Sequence, residues 1–207
     1  MDLRDTITKL FSVRLLLSII EFGAVSYFTQ SLGAGAIGSF FLYQTVTGLT
    51  GIGSNLGLAR AAEKELSSGV NVGEVITTAA LLKGLLLVPF IIGIYLTQSF
   101  IDSYIGIQGV GLLVAVGLII GQTRRLAIRL LAGQMRVDRT ASLRLAGKLT
   151  WLVVSVALIH TGMDAMSILV GFIVGDVVIV LGALPFLELA FERPTIERAH
   201  KLLSFGY

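Results

Sequence analysis

Two acids interrupt long apolar runs in this chain, Glu21 and Asp176, and Lys83 sits inside a third. A charge at the centre of a membrane helix costs roughly 2.5–3.5 kcal/mol on insertion scales, so each marks either a function or a tight structural pairing. Facing a polar cavity, Glu21 and Asp176 would titrate or hold a cation as a ligand moves. As structural groups they would form ion pairs or stay neutral in hydrogen bonds. A cavity-facing position is expected for both, and a direct part in coupling is the weaker expectation. Lys83 is expected to snorkel toward the surface.

The basic residues suggest phosphate chemistry. Arg14 precedes Glu21 by seven residues, two turns along one helical face. Arg125, Arg129 and Arg136 are spaced 4 and 7 apart and would share a face if their helix continues past the membrane, while Arg144, Lys148 and Ser155 form a comparable stripe on the next helix. Guanidinium groups bind phosphate oxygens in bidentate fashion, which suits a diphosphate headgroup. The competing account, and the weightier one for these rims, is topology plus attraction to anionic lipid. Gln44, Asn55 and Arg60 would line a cavity face of the second helix and could hydrogen-bond sugar, although helix–helix bonding serves equally well.

Catalysis has little to stand on. With no cysteine, disulfides, thiolate metal sites and thiol nucleophiles are excluded. His160 and His200 fall at opposite ends of the expected topology, Asp102 and Asp164 are isolated in outer loops, and no serine occupies a nucleophile elbow. Gly33, Gly35 and Gly38 follow no strand and make no dinucleotide loop. No enzyme activity, cofactor or metal is expected.

The elements that would position these residues are membrane helices. Of 207 residues, 55% are hydrophobic and 14% charged, and the mean hydropathy is +0.88. Soluble domains carry about 25% charged residues. Spans of about 20 residues are expected near Val13–Leu32, Ile37–Leu58, Ile76–Phe100, Ile105–Gln122 and Ile168–Leu189. A weaker fifth in chain order centres on Leu149–Ile159 and takes in Arg144 and Lys148. Fifteen of the 16 basic residues then collect on one side, all but Lys83. By the positive-inside rule that side, holding both termini, is cytoplasmic. Six crossings satisfy this alternation, where five or seven would break it. The +3 net charge lies between apolar runs, so nucleic acid is not an expected partner. The first run lacks a signal-peptidase pattern. Gly53/Gly57, Gly117/Gly121 and Gly171/Gly175 fit small-xxx-small helix packing.

After the sixth span, residues 193–207 contain Lys201-Leu202-Leu203-Ser204-Phe205, which shares a Lys-Leu-apolar-Ser core with the N-terminal Lys9-Leu10-Phe11-Ser12. That makes 1–192 a six-helix lobe, followed by a linker and the start of a seventh helix. Residues 27–38 (Tyr27 to Gly38), 51–64 (Gly51 to Lys64) and 201–206 resemble, in turn, the first hairpin, the end of the second helix and the start of the seventh in the polysaccharide-biosynthesis flippases. These belong to the multidrug/oligosaccharidyl-lipid/polysaccharide exporter superfamily. The resemblance covers nearly the whole chain through soft, glycine-punctuated motifs. It implies an all-α, two-lobed fold of twelve to fourteen helices, of which this chain carries one lobe, and transport of lipid-diphosphate-linked saccharide across the cytoplasmic membrane. A second lobe or a homodimer partner would complete it. An ion-coupled exporter of cations, resting on Glu21 and Asp176, is the alternative within transport. A non-transporting membrane assembly partner is the alternative outside it.

Overall fold

A computed structural model describes residues 3–69, 71–188 and 192–204. All regular structure among them is helical. The helices are α1 (Leu3–Leu32), α2 (Ala34–Gly53), α3 (Leu58–Ser67), α4 (Val72–Leu96), α5 (Gln98–Ile105), α6 (Val110–Gly133), α7 (Val137–His160), α8 (Met166–Ala183) and α9 (Ile196–Ser204), with a 3₁₀ turn at Leu184–Phe186. A helix satisfies every backbone polar group within itself, which is what a hydrocarbon solvent demands. The outward surface is correspondingly apolar, with Phe22, Leu85, Ile92 and Leu112 all exposed.

Five helical segments are long and apolar enough to cross a membrane: Arg14–Leu32, Val72–Leu96, Val110–Gly133, Asp138–His160 and Met166–Phe186. The weak fifth span is among them, as α7. Helix α2 matches them with 20 residues and no charge, but its glycines and threonines dilute its apolar character. The chain is a helical membrane bundle of five or six spans.

Several expected boundaries move for local reasons. The second span stops at Gly53 because a turn at 54–57 follows, with Leu56 at φ 41° and Gly57 at φ 73°. Gly57 therefore supplies a left-handed start to α3, a conformation that a Cβ would disfavour, and does not pair with Gly53 across a helix contact. The third span begins earlier than expected, since the Asn71 side chain accepts from the Gly73 and Glu74 amides and caps α4. It ends at Leu96, and Gln98–Ile105 forms its own short helix. Asp102 is not an isolated loop acid: its carboxylate accepts from the Gly109 and Gly111 amides at 2.8 and 2.7 Å and ties α5 to the start of α6. Helix α6 runs on to Gly133, well past the expected end at Gln122.

Glycine decides the tightest packing. A Cβ on Gly175 would stand 2.5 Å from the Gly147 carbonyl oxygen, and one on Gly171 would stand 2.2 Å from Ser155 Oγ. The backbones of α7 and α8 meet there. Ser155 is thus buried between these helices and does not extend the basic stripe. Nearby, Trp151 stacks on Phe40 at 5.5 Å and meets Phe28 and Phe172 edge-on, with its indole N–H donating to the Ile168 carbonyl at 3.2 Å.

A second core lies between α3, α4, α6 and α9. Leu202 of α9 is fully buried in it. Arg198 bonds Glu65 at 2.6 Å and Glu74 at 3.2 Å, and Lys201 reaches Glu65 at 2.9 Å. The C-terminal segment is therefore an amphipathic helix folded back on the bundle. The Phe205-Gly206 end of the seventh-helix motif and the Leu189 end of the sixth span lie outside the described residues, as do the side chains of the N-terminal lead-in through Phe11.

Candidate functional site

Helices α1, α6, α7 and α8, with the α2–α3 turn and the start of α3, enclose one cavity of about 980 Å3. Each contributes polar groups through its own periodicity. Helix α1 supplies Arg14 and Glu21, two turns apart; α6 supplies Arg124, Arg125 and Arg129; α7 supplies Arg144 and Lys148; α8 supplies Asp176. Asn55 projects from the turn and Arg60 from α3, so neither belongs to the second helix as expected. Gln44 of α2 also reaches the wall.

Ten of the thirteen candidate residues thus line the cavity, Arg136, Ser155 and Lys83 being the exceptions. Lys83 does not snorkel either. It is 3% exposed, and its ammonium donates to Gln122 Oε1 at 2.6 Å, Asn55 Oδ1 at 2.8 Å and the Ser54 carbonyl at 3.4 Å. The ammonium sits at the C-terminal end of α2, where unpaired carbonyls and the negative end of the helix dipole stand in for an anion.

Both lining acids are paired across helices. Glu21 meets Lys148 at 3.1 Å, joining α1 to α7, and Asp176 meets Arg124 at 2.9 Å, joining α8 to α6. Arg129 meets Glu63 of α3 at 2.6 Å. Arg14, Arg60, Arg125 and Arg144 form no ion pair among the described residues. Seven cations and two acids line the cavity, so it carries a strong positive field.

The expected face of Arg125, Arg129 and Arg136 breaks at its end. Because α6 stops at Gly133, Arg136 leaves the helical register, and its guanidinium bonds the Phe186 carbonyl and Glu188 at 2.7 and 2.8 Å, away from the cavity. Arg124 was not among the candidates. It lies three residues beyond Gly121 and seven beyond Gly117, and continuing that small-residue stripe would have placed it against α8. Trp151 was also missed. It follows Lys148 by three residues, and the Lys148 ammonium lies 4.4 Å from its ring centroid, a cation–π contact.

This arrangement can bind and release an anion with polar appendages; it has no nucleophile–base constellation. No cluster of metal-ligating residues occurs among the described residues. The chain is 29% identical over 206 residues to a protein named as a probable low-salt glycan biosynthesis flippase, Agl15, of Haloferax volcanii, covering 100% of this chain and 43% of that protein. It is 25% identical over 183 residues to a probable flippase, AglR, of the same organism, covering 87% of this chain and 38% of that protein. It therefore spans less than half the length of these curated relatives. Neither a family profile nor a solved structure matches it.

Proposed function

We propose that this chain forms one lobe of a flippase for lipid-linked oligosaccharide, feeding surface glycan assembly, the role that the names of its two relatives suggest. Its binding surface is the basic cavity. The diphosphate of the carrier would sit against Arg14, Arg60, Arg125 and Arg144, with the saccharide between Gln44 and the Trp151 wall and the lipid tail left in the bilayer. The observation that carries this reading is the charge imbalance: four arginines face the cavity without a carboxylate partner, while both lining acids are already paired. A cation exporter would need the opposite, free carboxylates. A second lobe, from the same polypeptide or from another copy, would close the cavity's open side. The basic end would face the cytoplasm in the cell membrane.

The test uses the chain in nanodiscs with two probes, farnesyl diphosphate and tetraphenylphosphonium. Saturable binding of the diphosphate, abolished by joint charge reversal at Arg125, Arg129, Arg144 and Lys148, is expected. Binding of the organic cation in its place would overturn the assignment.

A further inference from the structure

Lys83 is a buried charge that the proposed cargo does not touch. An ammonium has three N–H donors and no acceptor, and all three are spent here, on Gln122 Oε1, Asn55 Oδ1 and the Ser54 carbonyl. No carboxylate among the described residues pairs with it. Gln122 extends the network in turn, its amide nitrogen donating to the Gly51 carbonyl at 3.1 Å. The network thereby ties α4 and α6 to the last turn of α2.

The consequence falls on Asn55. Its backbone N–H donates to the Ile52 carbonyl and its own carbonyl accepts from the Leu58 amide. Its Oδ1 accepts from Lys83. A side-chain amide can ordinarily rotate by half a turn and exchange its oxygen and nitrogen. Here it cannot, because an ammonium offers nothing for an N–H to bond. The one polar group of Asn55 left without a partner among the described residues is Nδ2, and Asn55 lines the cavity. Leu56, next along the turn, holds φ 41°, so this backbone is held by its surroundings and not by its own preference.

We propose that Lys83 is a positioning residue that locks Asn55 as an obligate hydrogen-bond donor into the cavity, aimed at an oxyanion oxygen of the cargo's phosphate linkage. This rests on the phosphate reading of the site and adds a specificity element to it. Arginines attract any anion; a fixed neutral donor beside them selects for where an unprotonated oxygen stands. The positive charge behind the amide also polarises its N–H bonds in the required sense.

The substitution Asn55→Asp separates this role from a structural one. It retains the acceptor for Lys83, and makes it an ion pair, while removing the donor. Thermal stability in nanodiscs is expected to hold or rise, while farnesyl diphosphate binding weakens at least about tenfold, the scale of one hydrogen bond to a charged group. That loss is expected to persist at 0.15 M and 0.5 M NaCl, since salt screens the added charge but does not restore a donor. Lys83→Met removes the lock and leaves its three acceptors without that donor, so it should melt lower and, compared at a temperature where it is folded, bind several-fold more weakly. Wild-type binding with either variant unaffected, or an Asn55→Asp loss erased by salt, would overturn the proposal and leave the phosphate site standing. A wild-type chain that binds no diphosphate would bring down both.

Discussion

Replacing Asp176 by Asn should tighten binding of an anionic headgroup while slightly weakening the fold. A sphere of the cavity's volume, about 980 Å3, has a radius of about 6 Å, so an anion at its centre lies about that far from the carboxylate on the wall. Two unit charges at such a distance interact by about 2.8 kcal/mol at an effective permittivity of about 20. With a Debye length of about 8 Å at 0.15 M salt the repulsion falls to about 1.3 kcal/mol, about tenfold in affinity. At 1 M salt, where the Debye length is about 3 Å, about 0.4 kcal/mol remains, about twofold. The fold should lose about 1–2 kcal/mol, because the Arg124 and Asp176 side chains are 31% and 12% exposed, between the surface and buried limits for ion pairs. Asparagine keeps an acceptor for Arg124, which holds the cost near the lower figure. Farnesyl diphosphate titrations of wild type and Asp176→Asn at the two salt concentrations measure the effect directly. Unchanged or weaker binding by the variant would refute the reasoning, showing that Asp176 does not share the field felt by the ligand. A parallel loss of tetraphenylphosphonium binding would turn the site toward cations.

Two further outcomes test the scaffold. Gly175→Ala should lower the melting temperature in detergent, because the new Cβ would meet the Gly147 carbonyl oxygen at 2.5 Å; backbone cannot yield cheaply, and overpacking costs about 1–3 kcal/mol. Gly84→Ala, where nothing lies within 4 Å, is the matched control and should melt no lower than wild type. Glu65→Gln should loosen α9 from α3, since Glu65 pairs with both Arg198 and Lys201. Full loss of a buried partner costs 3–5 kcal/mol, and Arg198 keeps Glu74, so about 2 kcal/mol is expected, read as faster proteolysis near Arg198.

Much of this bundle was legible before any coordinates, because hydrocarbon leaves a chain few options. A run of apolar residues long enough to cross must be helical, and the scarcity of charge made Glu21, Asp176 and the arginines conspicuous. The same logic explains why the weak fifth span was recoverable: the distribution of lysine and arginine required a crossing there even where hydropathy faltered. Helix ends were read poorly. Asn71, Gly57 and Asp102 set them through one side chain's pair of hydrogen bonds or one left-handed residue, and such signals are too short to stand out within an apolar run.

The residues themselves determined the solvent, the helical class and the list of polar groups that a membrane cavity would contain. Only the tertiary structure decided how those groups are spent. That Asp176 answers Arg124, that Glu21 answers Lys148, and that Arg136 turns away once α6 ends are facts about pairs far apart in the chain. Lys83 makes the point most sharply. Its position in a span suggested escape to the surface, yet three neutral acceptors, two from the turn after α2 and one from α6, converge to satisfy it. Periodicity along one helix states which face a side chain occupies; what stands opposite that face depends on how other helices pack, and no local spacing records it.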